Sequence, residues 1–401
     1  MMELNFDPKK GIWAEGEHAD RLRNNFFGDS DKQKLWLMPE EALYLIDFQN
    51  ASVKHGKKNL TFSDVLTQYA KKDPRLMIKY NAFRDWRDRG LIIKRAAEAP
   101  KVDGKGGGSG GHVKKYPSRE MNLHEIKAKA CWDSESAFSV IEDEKTAAEL
   151  FEVWWLGQRG VYKQERGSTL KLNFFETVLL SKHFGLKVFD AVKGRATNSE
   201  EIMDEISKRR EFARTMYKAY EDWRMRGYIV KTGFKFGTHF RIYFPGASPM
   251  KSAGDSKWIH SKHVLHIFPK EEKMLISEWA RAVRVAHGVK KTFILGMPKL
   301  SKKDYVDYPA DFIAFRRKKQ GGSWVRETVK DGPRYLLAAV SEEEHIGGVE
   351  LASLLKKAEG MGLSLILSIT DRETAITYYA LNKISLKGAE HEYYEIEWMR
   401  P

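Results

Sequence analysis

Apolar and polar positions along this chain fall into patterns that return at fixed distances. YNAFRDWRDRGLIIKR from Tyr80 and YKAYEDWRMRGYIVKT from Tyr217 carry one such pattern. Each reads as the end of an amphipathic helix, a glycine stop and a strand. Trp86 matches Trp223, and Gly90 matches Gly227. Upstream, PEEALYLI around Glu41 resembles FFETVLLS around Glu176. About the first hundred residues therefore repeat the region from about 125 to 231. A period above a hundred residues means a duplicated module, not a solenoid.

A second repeat has a shift of 72 residues and needs no gap. HSKHVLHIFPKEEKM from His260 falls on GPRYLLAAVSEEEHI from Gly332, and WARAVRVAHGVKKTFILG from Trp279 falls on LASLLKKAEGMGLSLILS from Leu351. Both copies predict strand, acidic turn, helix, strand. The expected fold class is α+β, built from tandem duplicated small modules. Two are N-terminal helix-plus-sheet modules, and two are C-terminal modules of mixed sheet with flanking helices. The expected boundaries are 1–100, a Gly/Ser-rich linker over 101–116, 117–232, 233–300 and a degenerate copy over 301–401. The linker run KVDGKGGGSGGHVKK has no packing capacity and reads as a tether.

Composition narrows the setting. A length of 401 residues fits several domains. No apolar run is long enough to span a membrane, and the start of the chain lacks a signal pattern. The single cysteine, Cys131, allows no internal disulfide and points to a reducing, cytoplasmic setting. Lys and Arg number 69 against 55 Asp and Glu, a net charge of +14 that favours a polyanionic partner.

The first two modules differ in one loop. Gly28 to Met38 is ten positions, whereas the matching Gly157 to Asn173 is sixteen. The insertion brings Arg159, Lys163 and Arg166, which are candidates for substrate contact because only one copy carries them. The later repeat differs in chemistry. At shift 72, Tyr243 becomes Phe315, His260 becomes Gly332 and Lys291 becomes Leu363, while apolar positions such as Val264, Leu265 and Ile294 stay apolar. Two duplicate folds need the same core, but only one needs chemistry. Taken singly, Tyr243 could be a packed strand-end tyrosine and Lys291 a solvated lysine. Lost together, the three suit metal-independent cleavage of an RNA phosphodiester by its own 2′-hydroxyl. Tyr243 would take the 2′-proton, His260 would protonate the 5′-oxygen, and Lys291 would stabilise the crowded phosphate. No cofactor is expected. The competing metal reading rests on His260, His263 and His266, but a spacing of three on a strand alternates faces. The run Glu271–Lys273 reads as a solvated loop.

DWRMRGYIVKTGFKFGTHFRIYFPG, HSKHVLHIF and WARAVRVAHGVKKTFILG together closely resemble the archaeal tRNA-splicing endonucleases and their eukaryotic catalytic subunits. The resemblance is strongest over about residues 205 to 296 and weaker over 1–100 and 301–401. It implies Tyr243, His260 and Lys291 as the catalytic set, with His263 as the alternative histidine. It also implies that Arg284 sandwiches a bulged base and that Lys290 takes the place of an arginine. The order of pieces resembles the fused three-unit form, which implies a homodimer with two sites acting on precursor tRNA at a bulge-helix-bulge. The alternatives are a non-catalytic RNA-binding subunit and a metal-dependent DNA nuclease.

Overall fold

The helices Leu76–Asp88 and Ala213–Arg224 stop in the same way. Gly90 and Gly227 take positive φ (75° and 82°), where a side chain would be strained. The next residue then returns its amide to a carbonyl five residues back, Leu91 to Trp86 and Tyr228 to Trp223. The chain leaves each helix as a short strand, Ile93–Arg95 in one case and Ile229–Thr232 in the other. The computed structural model describes residues 2–31, 33–96, 113–160, 167–250 and 260–401.

Each of the first two modules folds around a six-stranded sheet of the same topology. The first runs Asp29–Asp31, Lys34–Leu37, Gly11–Glu15, Glu3–Asp7, Ser52–His55, Lys58–Leu60. The second runs Gln158–Arg159, Leu170–Asn173, Phe138–Ile141, Lys129–Asp133, Lys187–Asp190, Arg195–Thr197. Both use one buried device. Glu41 accepts the amides of Gly28 and Met38, each at 2.9 Å. Glu176 accepts those of Gly157 at 2.9 Å and Asn173 at 3.1 Å. Lys94 donates to the Gly28 carbonyl and Lys231 to that of Gly157. A Cβ at Gly157 would sit 2.6 Å from the Lys171 carbonyl oxygen, so the start of the longer loop is fixed by contact as well as by its φ of 64°.

The shift of 72 is visible element by element. Strands His263–Ile267 and Tyr335–Ser341 correspond, as do strands Lys273–Leu275 and His345–Gly347, helices Ile276–Gly288 and Gly348–Gly360, and strands Thr292–Pro298 and Ser364–Thr370. Both copies join one eleven-stranded sheet. Its main path runs Ile229–Thr232, Phe240–Tyr243, His263–Ile267, Thr292–Pro298, His391–Met399, Ile376–Ser385, Ser364–Thr370, Tyr335–Ser341, Phe312–Ala314, Ile93–Arg95. The hairpin Ile376–Ser385 and His391–Met399 gives one strand to each half. Strands 273–275 and 345–347 pair antiparallel with Met274 opposite Ile346, each residue facing its twin's neighbourhood as a two-fold requires.

The pairing shows where the first module docks. Ile93–Arg95 lies on Phe312–Ala314 as Ile229–Thr232 lies on Phe240–Tyr243. Each docked helix end carries the same lock. Trp86 packs edge-on against Tyr378, whose hydroxyl donates to Asp85 at 2.7 Å. Trp223 packs edge-on against Tyr393, whose hydroxyl donates to Asp222 at 2.9 Å. The last residues of the expected linker join the large sheet. Residues 97–112 lie outside the described residues, but Lys114–Lys115 already pairs with Ile384–Ser385. Backbone hydrogen bonding to an open strand overrides the glycine-rich context there. The Glu271–Lys273 run ends in strand Lys273–Leu275, and Lys273 is bound to Glu350.

Asp222 also accepts the amides of Glu390 and His391 at 2.8 and 2.9 Å. Burial pushes its carboxyl up, but the donors of His391, Glu390 and Tyr393 outweigh burial and hold it below the usual carboxylate range. Its ionised form therefore contributes stability above about pH 4, and that stability is lost as pH falls through the depressed folded value. Asp222→Ala is expected to destabilise the chain by about 3–5 kcal/mol in denaturant unfolding and to flatten the acid limb of the stability profile.

Candidate functional site

The site sits at one end of three neighbouring strands. Strand Phe240–Tyr243 pairs antiparallel with His263–Ile267, with Ile242 opposite His263. Strand His263–Ile267 pairs parallel with Thr292–Pro298, with His263 opposite Thr292. Both registers continue one residue further. The Lys262 amide donates to the Ile242 carbonyl, and the Thr292 amide donates to the Lys262 carbonyl, each at 3.0 Å. Tyr243 thus stands beside Lys262 on one side and Lys291 beside it on the other. Residues directly opposite share a sheet face, and Arg241, two positions before Tyr243, shares it too.

Tyr243 is buried, its ring 4.8 Å from that of Trp155 and 5.8 Å from the Arg241 guanidinium. Lys291 is half-buried. Its ammonium donates to the Ser261 carbonyl at 2.6 Å and lies 5.3 Å from the ring of Phe236. Burial lowers its pKa, and the nearby cations Arg241 and Lys262 lower it further. Arg241, Lys262 and Lys291 thus concentrate positive charge at this end of the strands. His260 is exposed two positions before Lys262, and residues 251–259 of its loop lie outside the described residues.

The turn into Lys291 is unusual. Helix Ile276–Gly288 ends with the Lys291 amide on the Ala286 carbonyl at 2.9 Å and Lys290 at a φ of 55°. The matching residue of the other copy is Gly362, at a φ of 67°. The later copy uses the residue suited to left-handed backbone; the earlier copy puts an exposed cation there instead.

The histidines separate by burial. His263 is buried between Tyr116 and Phe244, at 5.3 and 5.5 Å, and neither ring nitrogen has a hydrogen-bond partner. Burial, then the charges of Lys114, Lys262 and Lys291, push its pKa down to about 4. His266 stacks on His239 at 4.4 Å. Among the described residues no group of His, Cys, Asp or Glu is arranged to hold a metal ion.

The remaining predicted residues are dispersed. Arg284 is exposed on helix Ile276–Gly288, with its guanidinium beside the Tyr379 hydroxyl, where it offsets the upward push of burial on that phenol. Arg159 is buried and ion-paired with Glu144 and Glu152, at 3.3 and 3.8 Å, so its charge is already engaged within the protein. Lys163 and Arg166 lie outside the described residues. The strand that starts their loop borders a hollow of about 190 Å³ shared with Trp155, Lys231 and Arg241, which places the loop's base beside the Tyr243 strand. Sequence reasoning missed Arg241, Lys262 and Phe236. The signal for the first two was their two-residue spacing from Tyr243 and His260.

Known proteins share these parts. The profile of the tRNA intron endonuclease catalytic C-terminal domain matches residues 213–308, and that of the tRNA intron endonuclease N-terminal domain matches residues 2–66. A tRNA-splicing endonuclease of Methanosarcina barkeri is 25% identical over 342 residues, covering 74% of this chain and 96% of that protein. The one from Methanococcoides burtonii is 26% identical over 346 residues, covering 75% and 97%. The one from Pyrococcus abyssi is 32% identical over 154 residues, covering 38% of this chain and 82% of its own length. Among the described residues no helix is long and apolar enough to cross a membrane. With both of the family's domains matched and relatives aligned over nearly their whole length, this chain belongs to the archaeal tRNA-splicing endonuclease family.

Proposed function

We propose that this endonuclease cuts precursor tRNA at bulge-helix-bulge splice junctions by internal attack of a 2′-hydroxyl. The new bond joins the 2′-oxygen to phosphorus as the bond from phosphorus to the 5′-oxygen breaks. The products are a 2′,3′-cyclic phosphate and a 5′-hydroxyl. Tyr243 takes the 2′-proton, its phenolate favoured by the Arg241 guanidinium 5.8 Å from the ring. His260 gives its proton to the departing 5′-oxygen, and Lys291 stabilises the charge on phosphorus.

The observation that carries this reading is the register about Lys262, which sets Tyr243 and Lys291 on either side of one residue while the twin copy has Phe315 and Leu363 at the same places. The burial of His263 and its pKa of about 4 favour His260 as the acid, because an acid working near neutrality must hold its proton there. Lys290 and Lys163 serve as RNA contacts, and Arg284 stacks on a bulged base. We further propose the three-unit division inferred above, with the first module as half of a structural unit, and a homodimer with two sites.

Chelator is expected to leave cleavage of a bulge-helix-bulge RNA intact, with cyclic-phosphate ends found on the 5′ product. His260→Ala should lower the single-turnover rate by about 10²–10⁴ while RNA still binds. Loss of activity in EDTA, or unchanged cleavage by the His260 variant, contradicts the mechanism. Lys290→Gly is expected to stabilise the chain by about 1 kcal/mol by relieving left-handed strain, while weakening RNA binding and lowering its salt slope by nearly one. Equal salt slopes for variant and parent remove Lys290 from the interface.

A further inference from the structure

The two halves of the large sheet are twins, yet one place that is filled in the catalytic half is open in the other. In the catalytic half, Tyr116 fills the space among Trp223, Tyr228 and His263, with ring centroids at 5.7, 6.4 and 5.3 Å. Its hydroxyl bonds to Glu395. The matching residues in the other half are Trp86, Leu91 and Tyr335. They border an open hollow of about 580 Å³. The rest of the wall has changed in one direction. Phe244 and Pro245 are replaced by Arg316 and Arg317, and Trp324 and Arg400 complete the lining. Among the described residues no Asp or Glu side chain lines it.

The segment FRRKKQGGSWVR, residues 315–326, holds five cations and no carboxylate. It folds as the hairpin Arg317–Gln320 and Ser323–Arg326. Gly321 and Gly322 both take positive φ, 57° and 83°, as a tight two-residue turn requires. The hairpin is anchored by the Arg317 guanidinium, which donates to the Arg89 carbonyl at 2.6 Å. Arg316 lies 3.6 Å from Glu327, but that buried carboxylate already holds Arg334 at 3.0 Å, so positive charge is left over. Trp324 is 66% exposed, with the Lys319 ammonium 5.8 Å from its ring.

We propose that this hollow is an RNA-docking site of the non-catalytic half. It takes an unstacked base of precursor tRNA against Trp324, with flanking phosphates on Arg316, Arg317 and Arg400. The proposal rests on the reading of the chain as an enzyme acting on that RNA. Three features select a nucleotide. The twin site accepts a flat ring with a polar tip. The wall adds guanidinium groups without side-chain carboxylates, which favours an anionic ligand. An exposed indole beside cations is the platform on which single-stranded bases stack.

The test measures binding and cleavage of labelled precursor tRNA by the full chain and by Trp324→Ala and Trp324→Phe. The alanine variant is expected to raise both Kd and KM by about five- to a hundredfold with kcat held, and the phenylalanine variant to recover most of the loss. A precursor carrying 4-thiouridine should photocrosslink to the peptide containing Trp324. An unchanged Kd in Trp324→Ala overturns the proposal. So does a fall in sedimentation coefficient that fully accounts for weaker RNA binding, because the hollow then holds a second copy of this chain. Cleavage by the unsubstituted chain tests the underlying enzymatic reading separately, since it can succeed while the docking proposal fails.

Discussion

One peptide unit organises the site. The amide of Lys262 donates to the strand that ends in Tyr243, and its carbonyl accepts from the strand that Lys291 opens. Slipping either register by one residue would turn the slipped strand's side chains to the other face. Tyr243 would then leave its packing against Trp155 and Arg241, or Lys291 would lose the Ser261 carbonyl that holds its ammonium. The register is held by burial on the far face, where His263, Phe244 and Tyr116 pack together. Packing on the far face thus fixes which side chains meet at the Tyr243 end of the strands.

Duplication supplies the frame on which this constraint operates. Two copies share one sheet through a central hairpin, and each receives an N-terminal module through the same Asp, Trp and Tyr contacts. The copies then diverge where core packing does not fix the residue. Gly362 satisfies left-handed backbone in one, while Lys290 accepts it in the other to hold a cation next to Lys291. Leu363 is buried where Lys291 is half-exposed and polar. The copy that holds Tyr243 and Lys291 carries left-handed backbone at a lysine and a cluster of cations, where the other copy has Gly362 and Leu363. Such strain is tolerated where the surrounding structure over-determines it, and it marks functional positions.

Much of this was legible in the sequence because it lies in local pattern. Helices Ile276–Gly288 and Gly348–Gly360 fall at the predicted shift, and the paired losses at Tyr243 and Lys291 need only alignment of the chain with itself. Long-range pairing was not legible. Nothing near Ile93 says that it will lie beside Ala314, and a glycine-rich run conceals that Lys114 already joins a strand. The unbroken shift of 72 and the strand start favour His260 over His263 in the sequence, and the burial of His263 adds a reason that spacing does not carry. Arg241 and Lys262 go unnoticed in the linear sequence, and only the register sets both beside Tyr243.

The central claim is that this site needs the substrate's own 2′-oxygen, delivered between Tyr243 and Lys291. The most direct measurement compares cleavage of a bulge-helix-bulge RNA with that of the same RNA bearing a single 2′-deoxy nucleotide on the 5′ side of the scissile phosphate. The account predicts that the substituted RNA binds with the same Kd and is not cut at that junction. Cleavage there at the parent rate would mean that water or another nucleophile attacks, and would contradict the account.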